Sequence, residues 1–304
     1  MPILTALSEA VGHTPLVRLR SLEAEAPGVQ ILAKVDWFNP GGSVKDRAAL
    51  GIVQELVARG ILTRGGTRAL LDSTSGNTGV AYAWIGASLG LKVALVMPEN
   101  VSAARKQLAA RFGAEIIFSD AQEQSDGAIR LARKLSKEQP DRYVYADQYS
   151  NLNNPGAHEK TTAEELWAET GGALTHFVAG LGTTGTVMGT GRGLKGKNPG
   201  ITIIAVEPDD PFHALEGLKH LPSSIVPPIY RESGHDRKLL VSTDDGWDMA
   251  DRLIRDEGLL AGHSAGAAAM GALRIAKELS SSGTGGCVAC LLPDRADRYL
   301  PPPP

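Results

Sequence analysis

Residues 69–79 read Ala69-Leu70-Leu71-Asp72-Ser73-Thr74-Ser75-Gly76-Asn77-Thr78-Gly79, a short apolar run that opens into a loop of hydroxyls and glycines. The chain then repeats that rhythm. Ala69–Asp72, Lys92–Met97 and Glu115–Ser119 are apolar runs of strand length, and Val80–Leu89 and Ala103–Phe112 between them carry helical spacing. Gly90 and Gly113 stand just past the two helical stretches, where a left-handed residue closes a helix without steric cost. Ser102 and Ser125 sit where N-caps are expected. Short strands alternating with longer helices predict an α/β chain built on a mostly parallel sheet.

A second block of the same kind starts near Thr175. His176–Leu181, Ile201–Glu207, Lys238–Ser242 and Cys287–Leu292 read as strands, with helices around Asp245–Glu257 and Ala265–Leu279. Two such blocks predict two α/β lobes with a cleft between them. The stretch 209–237 holds four prolines and little periodicity, the pattern of a lid or binding loop. The run of prolines at 301–304 reads as a flexible tail.

Composition sets the outer bounds. The chain has 304 residues, 42% hydrophobic and 21% charged, which suits a globular protein large enough for two lobes. Lysine and arginine number 31 against 34 acids, a formal net charge of -3, so no bulk attraction to nucleic acid or an anionic membrane is expected. The first residues lack a charged segment followed by an apolar one, and the longest apolar runs are too short to span a bilayer, so the cytoplasm is the expected location. Cys287 and Cys290 fall three apart in an apolar run. In a strand they point to opposite faces, which suits neither a disulfide nor a metal, and no metal site is expected.

Four segments carry chemistry. Asn39-Pro40-Gly41-Gly42-Ser43-Val44-Lys45-Asp46-Arg47 leads into a helical pattern in which Lys45 begins the stripe continued by Ala49, Ile52 and Leu56. A lysine there is either a desolvated amine with a lowered pKa, fit for a Schiff base, or a snorkelling side chain paired to Asp46. The loop 73–79 offers free helix N–H groups among four hydroxyls and an amide, enough to hold a carboxylate, and is otherwise a polar connection.

The third segment, Gly180-Leu181-Gly182-Thr183-Thr184-Gly185-Thr186, satisfies G-x-G-x-x-G, and Glu207 ends the next strand where a ribose partner belongs. Three threonine hydroxyls suit a phosphate monoester equally well. On its residues alone this loop leaves both ligands open. In the fourth segment, Gly262-His263-Ser264-Ala265-Gly266, Ser264 reads as an N-cap or a site hydroxyl, and no role in catalysis is expected for His263.

Together, Ser-Val-Lys-Asp-Arg at 43–47, Thr-Ser-Gly-Asn-Thr-Gly at 74–79 and Gly-Thr-Thr-Gly-Thr at 182–186 resemble the cysteine synthase family of pyridoxal-phosphate enzymes. The likeness runs from Gly12-His13-Thr14-Pro15-Leu16 to Asp294-Arg295-Ala296-Asp297-Arg298-Tyr299-Leu300, an ending like that of the B-type members. It implies fold type II, like the β subunit of tryptophan synthase. Residues 40–145 would form a smaller, mobile domain, and 1–39 with 146–304 a larger one holding the cofactor phosphate.

The resemblance also implies roles. Lys45 would carry pyridoxal 5'-phosphate as a Schiff base and act as acid and base at the substrate Cα. Asn77 would bind the ring oxygen, Ser264 the pyridine nitrogen, and Gly182, Thr183, Thr184, Gly185 and Thr186 the phosphate. Thr74, Ser75, Gly76, Thr78 and Gln148 would hold the substrate carboxylate, and Lys219 falls where phosphoserine-using relatives place an arginine.

The implied activity is β-replacement through an aminoacrylate. O-acetyl-L-serine and sulfide, or a donor such as thiosulfate, would give cysteine or S-sulfocysteine. O-phosphoserine sulfhydrylase and cystathionine β-synthase are alternatives within this chemistry, and a nicotinamide dehydrogenase is one outside it. A homodimer acting on small molecules is implied. His13, Asp36 and Trp37-Phe38 depart from the usual pattern; none is expected to touch the chemistry, and together they are expected to reshape the cleft entrance.

Overall fold

The computed structural model describes residues 3–74, 76–101 and 103–299. Ser75, Ser102 and the 301–304 tail, each given a part above, lie outside the described residues.

Among the described residues, ten strands form two sheets: β1 Leu16–Arg18, β2 Val29–Val35, β3 Ala69–Ser73, β4 Lys92–Pro98, β5 Glu115–Ser119, β6 Tyr143–Tyr145, β7 His176–Gly180, β8 Thr202–Pro208, β9 Arg237–Val241 and β10 Gly286–Leu292. Ten α-helices accompany them: α1 Arg20–Glu23, α2 Lys45–Ala58, α3 Asn77–Leu89, α4 Ala103–Arg111, α5 Gln124–Glu138, α6 Asn153–Lys160, α7 Thr162–Glu169, α8 Gly185–Lys197, α9 Thr243–Glu257 and α10 His263–Ser282.

One sheet has four parallel strands in the order β5-β4-β3-β6. The other has six, in the order β1-β2-β10-β7-β8-β9, all parallel except the edge pair β1–β2. Parallel strands covered on both faces bury nearly every side chain, and β3, β8 and β10 do so almost throughout. Cys287 and Cys290 pack into different core clusters on opposite faces of the larger sheet, as the alternation of β10 requires. Both thiols are free, and burial pushes them up to about 11 and about 12.

The strands missing from the sequence reading are β1, β2 and β6. β2 is disguised by Lys34, a fully buried cation that pairs with Glu165 and Glu169 at 2.8 Å each. β6 is only three residues long. The larger correction concerns helix starts. α3 begins at Asn77, not Val80, so the end of the hydroxyl-rich loop is itself the first helical turn. α5 is preceded by Glu123 in the cap position, which leaves Ser125 inside the helix. The stretch 209–237 is irregular, as expected, but is anchored by the buried side chains of Leu215, Leu221 and Ile229.

Among the described residues no helix is long and apolar enough to cross a membrane.

Candidate active site

The carboxyl ends of both sheets open onto one cleft of about 530 Å³, the place where open parallel sheets bind ligands. Lys45 lies on its wall as the first residue of α2. Burial lowers the pKa of its ammonium, against the opposing pull of Asp294 and Asp36. Asp46 turns elsewhere. Its carboxylate takes the Gly41 backbone N–H and, at 3.0 Å, the indole N–H of Trp84, which fixes the loop before α2. Behind the lysine, Arg47 donates to Asp36 and to Glu165 from a fully buried position.

The loop after β3 supplies the facing wall. The Thr74 hydroxyl accepts the backbone N–H groups of Gly76 at 3.3 Å and Gly79 at 3.0 Å, folding the loop back onto the start of α3. A side chain on Gly79 would sit 2.6 Å from the Thr74 methyl, so the close turn needs glycine there. The Thr78 hydroxyl donates to Gln148 Oε1 at 2.8 Å, and Gln148 Nε2 donates to the Ser73 carbonyl at 2.8 Å. Asp72 accepts from the backbone N–H groups of Ser73 at 2.8 Å and Gln148 at 3.1 Å. One buried carboxylate thus joins the loop after β3 to the turn after β6.

The loop between β7 and α8 forms a cup. A Cβ on Gly182 would strike the Gly217 carbonyl, and one on Gly185 would strike Asn154 Oδ1. Thr184 holds a left-handed backbone at φ 71°, and its buried hydroxyl has no hydrogen-bond partner among the described residues. Asn154 donates to Thr183 Oγ1 at 3.1 Å. His158, neutral because burial and Arg47 lower it to about 3, lies 3.3 Å from Thr186 Oγ1.

Ser264 lies on the cleft wall within the first turn of α10, and Gly262 occupies the cap position instead, which corrects the N-cap alternative. His263 is stacked between Trp247, at 4.5 Å, and Tyr299, at 5.2 Å. Lys219 also lines the cleft, 3.9 Å from the Asp126 carboxylate and 5.4 Å from the Tyr149 ring centroid. Glu207 has both oxygens engaged, one by the Leu221 backbone N–H at 2.6 Å and one by Lys238 at 3.0 Å. His13, Asp36, Trp37 and Phe38 do not line the cleft; Asp36 is buried against Arg47.

The pyridoxal-phosphate dependent enzyme family matches residues 7–294. Cysteine synthase of Aquifex aeolicus is 46% identical over 292 residues, 95% of this chain and 89% of that protein. Cysteine synthase B of Pseudomonas aeruginosa is 40% identical, covering 97% and 95%. The crystal structure of cysteine synthase from Entamoeba histolytica superposes with a TM-score of 0.92 at 34% identity, covering 98% of this chain and 90% of that one. This chain belongs to the cysteine synthase family of pyridoxal-phosphate-dependent enzymes.

The cleft fits the cofactor that this family uses. The unpartnered Thr184 hydroxyl, the cup that no side chain at 182 or 185 could share, and the N-terminus of a 13-residue helix together suit a phosphate monoester. For a cysteine synthase fold, Asp72, Asn154, His158, Asp294 and Arg298 are the supporting residues that the sequence reading did not single out. Asp294 and Arg298 fall in the family-like ending, which carried no role for them, and the spacing of Asn154 and His158 on one helical face could have flagged that pair.

Proposed function

We propose that the protein is a cysteine synthase that replaces the acetoxy group of O-acetyl-L-serine with sulfide, and that the residues named from its sequence take the roles given there. The observation that carries this reading is the convergence on one cleft of a desolvated lysine, a hydroxyl-lined carboxylate loop and a phosphate cup. When bound, pyridoxal phosphate supplies an electron sink for the pair left at the substrate Cα as its proton departs.

The chain's own residues do the rest. Gly182, Thr183, Thr184, Gly185 and Thr186 hold the phosphate. Asn77 faces the ring oxygen. Thr74, Ser75, Gly76, Thr78 and Gln148 orient the substrate carboxylate, which presents the Cα hydrogen to Lys45. Burial favours the neutral form of the Lys45 amine once it is free, the form that can remove that proton and later return it. Ser264 meets the ring nitrogen with a hydroxyl, which does not hold it protonated and so favours loss of the β-substituent.

Residues 40–145 act as the smaller, mobile lobe, a division supported by the four-stranded sheet drawn from that range. The enzyme is read as a cytoplasmic homodimer on the family likeness; light scattering at the mass of a single chain would exclude the dimer.

O-phosphoserine is the second substrate to weigh, because Lys219 reaches the cleft. That ammonium already faces Asp126 and the Tyr149 ring, and burial disfavours its charged form, so a phosphate dianion would have to compete with Asp126 for it. This favours a substrate whose β-substituent is uncharged while bound, such as acetoxy, which departs as acetate. The test is a visible spectrum of cofactor-loaded protein, taken with O-acetylserine and then sulfide, alongside a cysteine assay. A band that shifts with O-acetylserine and returns with sulfide is expected, and both are lost in Lys45→Ala. A response to O-phosphoserine alone would reassign the substrate. A protein that takes up no cofactor would overturn the proposal.

A further inference from the structure

We infer that Asp294 and Arg298 are positioning residues that lock the Asn77 side-chain amide so that its second N–H is presented to the cofactor's ring oxygen. The inference rests on the role proposed above for Asn77. Asn77 Nδ2 donates to Asp294 Oδ2 at 2.6 Å, and Arg298 Nη1 donates to Asn77 Oδ1 at 2.6 Å. A guanidinium can only donate and a carboxylate only accept, so the two partners dictate which end of the amide is which. Turning it over would set oxygen against carboxylate and NH₂ against guanidinium.

This matters because the terminal torsion of asparagine is broad and nearly two-fold. An asparagine without such partners would offer its carbonyl oxygen to the cleft about as readily as its N–H. Facing a ring oxygen that carries negative charge, the first orientation repels and the second binds. With one hydrogen of the NH₂ group given to Asp294, the other is left for the cleft that Asn77 lines.

The clamp is itself well held. Arg298 Nη2 donates to the Gly41 carbonyl, which ties it to the loop before Lys45. Gly42 has φ 76°, and a Cβ there would lie 2.5 Å from Arg298 Nη2, so the glycine makes room for the guanidinium. The Tyr299 hydroxyl donates to the same Asp294 oxygen as Asn77, and its ring closes the Trp247–His263 stack. Asp294 is buried, and its carbonyl accepts the Gly262 N–H at 3.1 Å. The 294–299 turn therefore braces the Lys45 loop, the start of α3 and the start of α10 at one point.

The test is a double-mutant cycle on cofactor affinity, read by titrating pyridoxal 5'-phosphate into apoprotein and by the position of the visible band. Arg298→Lys keeps the charge but cannot reach both Gly41 and Asn77 with a planar fork. In the otherwise native protein it should weaken binding about tenfold, the order of one charged hydrogen bond, and move the band. In an Asn77→Ala background the same substitution should change affinity by less than about twofold, since the group it orients is gone. Equal losses in both backgrounds, or none in the native one, would overturn the inference. If Arg298→Lys loses its cooperative melt, Asp294→Asn goes through the same cycle and is judged by the same outcomes. Native protein that takes up no cofactor defeats the underlying reading of the site; native loading with additive losses defeats the clamp alone.

Discussion

The Thr78 hydroxyl donates to the side-chain carbonyl of Gln148 at 2.8 Å, across the gap between the first turn of α3 and the turn after β6. With its carbonyl so engaged and its Nε2 on the Ser73 carbonyl, Gln148 is held in one rotamer behind the loop proposed to receive the substrate carboxylate. Gln148→Ala should therefore raise KM for O-acetylserine about tenfold, with kcat reduced less and the visible band of the loaded enzyme unmoved. Steady-state kinetics with sulfide in excess separates the two constants. A fall in kcat at constant KM would place Gln148 elsewhere in the reaction.

Gly182 tests the phosphate cup. Its Cα faces the Gly217 carbonyl so closely that a methyl group cannot enter without moving the 215–218 turn. Gly182→Ala should weaken pyridoxal phosphate binding by more than tenfold while the apoprotein melts within a few degrees of the native one. Fluorescence titration of the cofactor and a thermal melt give the two numbers. Undiminished affinity would mean that the phosphate sits outside this loop.

Much of this arrangement was legible because the residues proposed to face the ligands are local. Lys45, the 73–79 loop and the 180–186 loop each fall where a strand or loop feeds a helix, which marks them as candidates, and the family resemblance then implied their roles. The supporting layer was not legible, because it is joined across the chain. Asn77 meets Asp294 and Arg298 more than two hundred residues away, and Arg47 meets Glu165 more than one hundred away. Charged side chains inside β2, β3 and α2 look in sequence like surface positions. Lys34, Asp72 and Arg47 are buried only because partners from distant segments satisfy them. The helix starts slipped for a related reason: Asn77-Thr78-Gly79 has loop composition, yet its backbone is the first turn of α3.

Asp72 makes stability depend on pH. Burial, helped by the nearby Asp147, pushes its carboxyl up to about 7, although the N–H groups of Ser73 and Gln148 favour the charged form. A carboxyl whose pKa is higher folded than unfolded contributes stability at acid pH, and that stability is lost as pH rises toward about 7. Asp72→Asn removes the titration. The difference in melting temperature between variant and native protein should thus move in the variant's favour from pH 5 to pH 8. Scanning calorimetry at the two pH values reads it directly, and a constant difference would show that Asp72 is already ionised at pH 5.

The buried ion network behind Lys45 predicts a larger effect of opposite pH dependence. Arg47 is fully buried and donates to Asp36 at 2.8 Å and Glu165 at 2.6 Å, while Lys34 shares Glu165 at 2.8 Å. Burial raises the Glu165 carboxyl, but Arg47 and Lys34 outweigh it and hold the group down at about 2. Arg47→Met keeps most of the volume and removes the cation, which strands Asp36 and leaves Glu165 with Lys34 alone. Removing one partner of such a group costs about 3–5 kcal/mol. A depressed carboxylate contributes stability that is present above its unfolded pKa, near 4.5, and is lost as pH falls toward 2. The native protein therefore gives up this contribution in acid, and the variant, lacking the Arg47 cation, has less of it to lose. The gap in urea midpoint between them should be wide at pH 7 and clearly narrower at pH 3, inside the window between 4.5 and about 2, and a gap that widens in acid would mean that Arg47 stabilises the fold by packing and not by charge.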